Sequence, residues 1–172
     1  MDTKLQTSLL LILGPVVSLA GWIGFYPVDN SEPAAKQAAD MIANASTVKV
    51  GIILGFGGMI AVVLGQFNVA RRMAMGGGAG SSYANVAAVL SVALVGVFLL
   101  GTGFEFAAAS SAAVAAGAAL MTVSNAVGAV AVPLGLGVAV GILGIAIALE
   151  KNYHIVVAGI GFIAGILMIA TW

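Results

Sequence analysis

The chain has no cysteine, a single histidine and only twelve charged side chains among 172 residues. Without cysteine there is no disulfide, no thiolate metal site, no thioether-linked haem and no thiol nucleophile. One histidine excludes any centre that needs two from this chain. Six Lys and Arg balance six Asp and Glu, and no basic run exceeds Arg71-Arg72, which argues against nucleic acid as a partner. Charged residues make up 7% of the chain, where soluble domains average about 25%. What fills the space is apolar: 62% of residues are hydrophobic, and the mean hydropathy is +1.17. So little polar surface cannot coat a globule in water, and the lipid bilayer is the expected surrounding.

A membrane-crossing helix needs about 20 mostly apolar residues. Five stretches qualify: Ser8–Tyr26, Val50–Ala70, Asn85–Phe104, Ala126–Leu149 and Tyr153–Trp172. They are continuously apolar, without the alternation of barrel strands. The expected fold is an all-α integral membrane protein with a bundle of five transmembrane helices. Leu9–Val17 followed by Ser18-Leu19-Ala20 resembles a signal peptide with a cleavage site; it is read as a retained anchor and first span. Ala107–Val123 is nearly long enough to cross but is mostly alanine, and insertion is driven by Leu, Ile, Phe and Val. It is predicted as an outer helix, with a sixth span as the alternative.

Arg71 and Arg72 end the second span, and the loop after them has no acid, so the positive-inside rule places that loop in the cytoplasm. The N-terminus is then cytoplasmic and the C-terminus outside, in an expected plasma membrane. Lys4 and Lys151 fall inside as well, while Lys36 and Lys49 fall outside together with Asp29, Glu32, Asp40 and Glu105. Trp22, Tyr26, Phe104, Phe106 and Trp172 mark the outer boundary, and Tyr83 and Tyr153 the inner one.

An internal echo runs along the chain. Gly24, Phe25, Ser31, Ala34 and Ala39 match Gly103, Phe104, Ser110, Ala113 and Ala118, each 79 residues further on. A duplication relating residues 8–70 to 85–149, with 153–172 added, accounts for it; the shared composition of Gly/Ala-rich spans is the alternative. The single membrane domain then comprises two units of span, outer helix and span. In the first unit, Ser31 and Pro33 suit a helix start. Lys36, Asp40 and Asn44 form a polar stripe opposite Ala35, Ala38, Ala39, Ile42 and Ala45, as in an interfacial helix. Asn44-Ala45-Ser46 fits the glycosylation sequon, read as a chance match.

Glycine numbers 24, about twice its usual share. Small residues four apart let helix backbones approach closely in lipid. Gly51/Gly55, Gly137/Gly141, Gly144/Ala148 and Gly161/Gly165 have this spacing, and serve either packing within the chain or a subunit interface. The last span, through Gly161 and Gly165, is the preferred interface. Gly76–Ser82 lacks the lysine of a phosphate-binding loop and is read as a flexible linker. Lys49 and Glu105 lie at matching depth and are expected to form an interfacial ion pair. Gln66 and Asn68 are the polar residues of the second span. Pro15 and Pro133 are expected to kink spans one and four, and His154 is read as a boundary histidine.

No catalytic set emerges, nor any group expected to bind a cofactor or a metal. The composition therefore suggests a non-enzymatic accessory or structural subunit of a larger membrane complex, respiratory or oxidase-like, with other membrane subunits as partners in a hetero- or homo-oligomer. A small transporter or channel forming a homo-oligomeric pore is the alternative.

Overall fold

The computed structural model describes residues 3–150 and 155–170. The elements are α1 (Thr3–Phe25), α2 (Ala34–Ala43), α3 (Ala45–Gly76), α4 (Ser81–Ala109), α5 (Val114–Val130), a π-helical segment (Ala131–Gly137), α6 (Val138–Leu149) and α7 (Ile155–Ala170). Among the described residues four helices are long and apolar enough to cross a membrane: Lys4–Phe25, Ala45–Gly76, Ser81–Ala109 and Val114–Leu149. The protein is an all-helical integral membrane protein. The apolar helix α7 is shorter, at 16 residues.

The helix ends differ by a few residues from the expected spans, and the largest difference falls at Ala107–Val123. Ala107–Val123 is not a separate outer helix: Ala107–Ala109 finish α4, a turn follows, and Val114 opens a continuous helix to Leu149. That helix is 36 residues long, or ~54 Å at 1.5 Å per residue, well beyond the ~30 Å of a hydrocarbon core. Alanine is the best helix former, and nothing between Val114 and Ala126 stops the helix. Pro133 does not end it. A proline ring clashes with the carbonyl four residues back, and the wider π turn around buried Pro133 accommodates that clash. Pro15 likewise lies within the uninterrupted α1.

The start of α2 is set by a turn. The Asp29 carboxylate accepts the Ser31 amide and hydroxyl at 2.9 and 2.7 Å, and Pro33 follows with an extended ψ of 145°. The Pro33 carbonyl then accepts the amides of Lys36 and Gln37. Asn44 separates α2 from α3. Its amide and side chain both donate to the Asp40 carbonyl, and its own carbonyl accepts the Val48 amide.

The chain divides into two compact units, one of Ile12–Val62 with Val97–Gly128, the other of Met1–Leu11, Val63–Gly96 and Ala129–Trp172. The core of the first gathers Tyr26, Ala38, Met41, Val48, Ile52 and Met121. Trp22 packs edge-on against Tyr26 and Phe56, at centroid distances of 4.8 and 5.1 Å. Here α1 meets α3 through small residues on both sides. A methyl group on Gly21 would strike the Gly51 carbonyl oxygen at 2.8 Å, and one on Gly14 the Gly58 carbonyl oxygen at 2.9 Å. In the second unit, Met73, Ala84, Ala146, Ile147 and Ala158 form one cluster, and Ala70, Ala87 and Ala88 another.

Candidate functional site

Polar side chains gather in the first unit. Glu105 lies one turn before the end of α4 and is 8% exposed. Tyr26, just past α1, donates its hydroxyl to Glu105 Oε2 at 2.9 Å. Ser124, on α5, donates to Glu105 Oε1 at 3.2 Å. Three parts of the chain therefore meet on one carboxylate, each oxygen of which accepts a different O–H. The neighbour of Ser124 extends the network: Asn125 Nδ2 donates to Gln37 Oε1 at 3.3 Å. Gln37 is 1% exposed. Its Nε2 donates to the carbonyls of Asn30 and Glu32, at 3.2 and 2.6 Å, so this side chain staples the α1–α2 turn to α2 and to α5.

This arrangement corrects the expected Lys49–Glu105 ion pair. Glu105 turns to Tyr26 and Ser124, whereas the Lys49 ammonium lies over the Phe106 ring, 5.1 Å from its centroid. The reason is geometric: residues 105 and 106 point to different sides of α4, and Lys49 reaches the second of them. The exposed pair at this end is Lys36–Asp40, at 2.6 Å. Hydrogen bonding to Asp40 holds the Lys36 pKa above its ordinary value, and the bonds from Ser31 hold that of Asp29 below its own.

The spaced glycines lie at helix contacts within the chain. A methyl group on Gly51 would meet the Phe25 carbonyl oxygen at 2.8 Å, and one on Gly55 the Trp22 ring at 2.5 Å. On Gly165 it would lie 2.6 Å from both the Gly137 carbonyl oxygen and the Gly141 amide. Gly161 faces Gly144, and the same face carries Gly141 and, at the end of the π-helical segment, Gly137. The side of α7 that the spacing offers to another subunit is thus covered by α6 of the same chain, because that face has the matching absence of side chains.

The Gly76–Ser82 stretch is not a bare linker. Gly77 takes a left-handed φ of 66° just after α3, the Gly78 carbonyl accepts the Ser81 amide, and the Gly80 amide donates to Glu150 Oε1 at 3.3 Å. A side chain on Gly78 would collide with the Glu150 carboxylate. The negative group lies at the start of α4, where the helix dipole favours it. Gln66 keeps a buried Oε1 without a hydrogen-bond partner. Tyr153 and His154 lie outside the described residues.

Sequence reasoning passed over Tyr26 as a cluster member, and over Gln37, Ser124 and Asn125. One signal was available: the 79-residue register that aligns Gly24-Phe25 with Gly103-Phe104 sets Tyr26 against Glu105, and those two residues touch. Among the described residues no group of three or more His, Asp or Glu could hold a metal ion. Chemically the cluster is an acceptor satisfied by two hydroxyl donors, and what it does is fix helices to one another. No protein-family model matches the chain, and neither a curated protein nor a solved structure is detectably similar to it.

Proposed function

We propose that the chain is a non-catalytic structural subunit of a larger membrane assembly. The observation that carries this reading is the way Glu105 is held. A carboxylate in an ion or proton relay needs a side from which its cargo arrives. Glu105 is 8% exposed, and both of its oxygens accept hydroxyls from elsewhere in the chain, which suits a rivet between helices. The basic residues support an N-terminus in the cytoplasm and a C-terminus outside: Lys4, Arg71, Arg72 and Lys151 fall inside against Lys36 and Lys49 outside; the membrane is proposed to be the plasma membrane. The 79-residue register and the parallel order of helix, turn and long helix in Thr3–Gly76 and Ser81–Leu149 support the internal duplication.

Purification in mild detergent followed by mass analysis tests the reading. Co-purifying membrane subunits of other sequence support it; a chain recovered alone or only with its own copies overturns it. One observation favours a second reading, a small homo-oligomeric transporter or channel. The π turn at Ala131–Gly137 interrupts a long apolar helix, and such interruptions recur at functional sites and substrate paths. Solute flux into liposomes holding the pure chain supports that alternative.

A further inference from the structure

Between α3 and α4, in the second compact unit, lies a groove of about 610 Å³, within the ~300–1,000 Å³ of ligand clefts. On α3 it is lined by Phe67, Arg71 and Met75, successive positions of one helix face. On α4 it is lined by Asn85, Val89 and Val92, again one face. The polar members, Arg71 and Asn85, lie nearer than Phe67 and Val92 to the end where the Gly76–Ser82 stretch joins the helices, with the exposed Met75 beyond Arg71 at the rim, and the deeper walls are apolar. From Asn85 to Val92 the trough runs ~10 Å along the helix.

The lining itself carries charge of one sign, that of Arg71. Arg71 is exposed, with its guanidinium carbon 6.0 Å from the Phe67 ring centroid. No Asp or Glu occurs between Asp40 and Glu105, and the Glu150 carboxylate is engaged by the Gly80 amide. A cation and an amide at one end of an apolar trough complement a molecule with an anionic head and a hydrocarbon tail.

We propose that this groove is a binding site for an anionic phospholipid. Its phosphate accepts hydrogen bonds from the Arg71 guanidinium and the Asn85 side-chain amide, and one acyl chain lies along Phe67, Val89 and Val92. Arginine presents a planar fork of donors suited to phosphate oxygens, and basic pockets between membrane helices on the cytoplasmic side hold such headgroups. The site rests on the groove, its charge and the proposed cytoplasmic placement of this end, and does not depend on the chain having partner subunits.

The test is native mass spectrometry of the delipidated full chain in detergent, titrated with dioleoylphosphatidylglycerol or dioleoylphosphatidylcholine. The wild type is expected to hold the anionic lipid about tenfold more tightly. Arg71→Ala removes that preference, Arg72→Ala keeps it, and Ala93→Phe, which fills the groove from an exposed lining position, weakens both lipids. Melting curves equal to that of the wild type show that the variants are folded. Equal binding of the two lipids by the wild type overturns the proposal. So does an Arg72→Ala variant as impaired as Arg71→Ala, or a second protein chain whose binding Ala93→Phe abolishes.

Discussion

Around Glu105 the helices are joined by side chains that reach across the gap, through hydrogen bonds of 2.9 and 3.2 Å. Between α6 and α7 the contact runs through glycines: at Gly144 and Gly165 backbone lies against backbone, while the Ile169 and Met168 side chains cover Gly137. Both are answers to one problem. In lipid there is little hydrophobic force between helices, so association rests on close packing or on polar contact. A glycine seam gains dispersion along its length but admits no addition at its tightest points, Gly144 and Gly165. A polar rivet works at one point, and depends on every donor and acceptor being matched.

The seam predicts the largest effect. In Gly165→Leu the new side chain meets the backbone of Gly137 and Gly141, which cannot swing aside as a flexible side chain would. Overpacking costs ~1–3 kcal/mol and occasionally more, and here it separates the two helices along their contact. The expected result is a lower melting temperature in detergent and faster proteolysis of α7. Gly159→Leu on the same helix, where a methyl group meets nothing within 4 Å, leaves both unchanged. If the two variants behave alike, close packing is not what holds α7.

The rivet predicts the next. Glu105→Ala leaves the Tyr26 and Ser124 hydroxyls without their acceptor in a buried place, at ~1–3 kcal/mol for a group left unsatisfied. Tyr26→Phe removes one donor to the carboxylate while Ser124 still bonds to it, and costs ~1.5–3 kcal/mol, against two hydroxyls left unsatisfied in Glu105→Ala. Melting curves should therefore rank wild type above Tyr26→Phe and Tyr26→Phe above Glu105→Ala. The reverse order would mean that the Tyr26 hydroxyl matters through a contact other than Glu105.

The same contrast explains what the sequence disclosed. Apolar runs announce themselves, since burying a long stretch in lipid leaves a mark on every residue of it; hence α1, α3 and α4 were legible apart from a few residues at their ends, and the fourth span was legible at Leu149 but not at its start, which lies at Val114 and not Ala126. Spacing of four also disclosed the glycines, but not what they face, because a seam is a property of two helices. Gly161 and Gly165 look the same whether α6 or another subunit covers them. The rivet was harder still. Lys49 and Glu105 share a depth, yet the rotation of α4 turns Glu105 to Tyr26 and Phe106 to Lys49. Alanine misled in its own way: Ala107–Val123 inserts poorly by composition, but its helix propensity carries the stretch from Val114 straight on into the next span.

Asp29 sharpens the comparison from the exposed side and predicts the smallest effect. Like Glu105 it accepts two donors, the amide and hydroxyl of Ser31, at 2.9 and 2.7 Å, but it does so in contact with water. Those bonds hold its pKa below the usual 3.8. A depressed carboxylate stabilises the fold fully above the unfolded value, and the contribution is lost as pH falls through the lower folded value. Water offers the same carboxylate alternative donors, so the loss is small. Asp29→Asn does not titrate there and keeps an oxygen for Ser31. Melting temperatures followed from neutral pH to below the aspartate range should fall slightly less steeply for Asp29→Asn than for the wild type. A wild type and variant with superimposable acid limbs would show that the turn before α2 contributes nothing to stability, leaving Pro33 and the buried Gln37 to set where that helix starts.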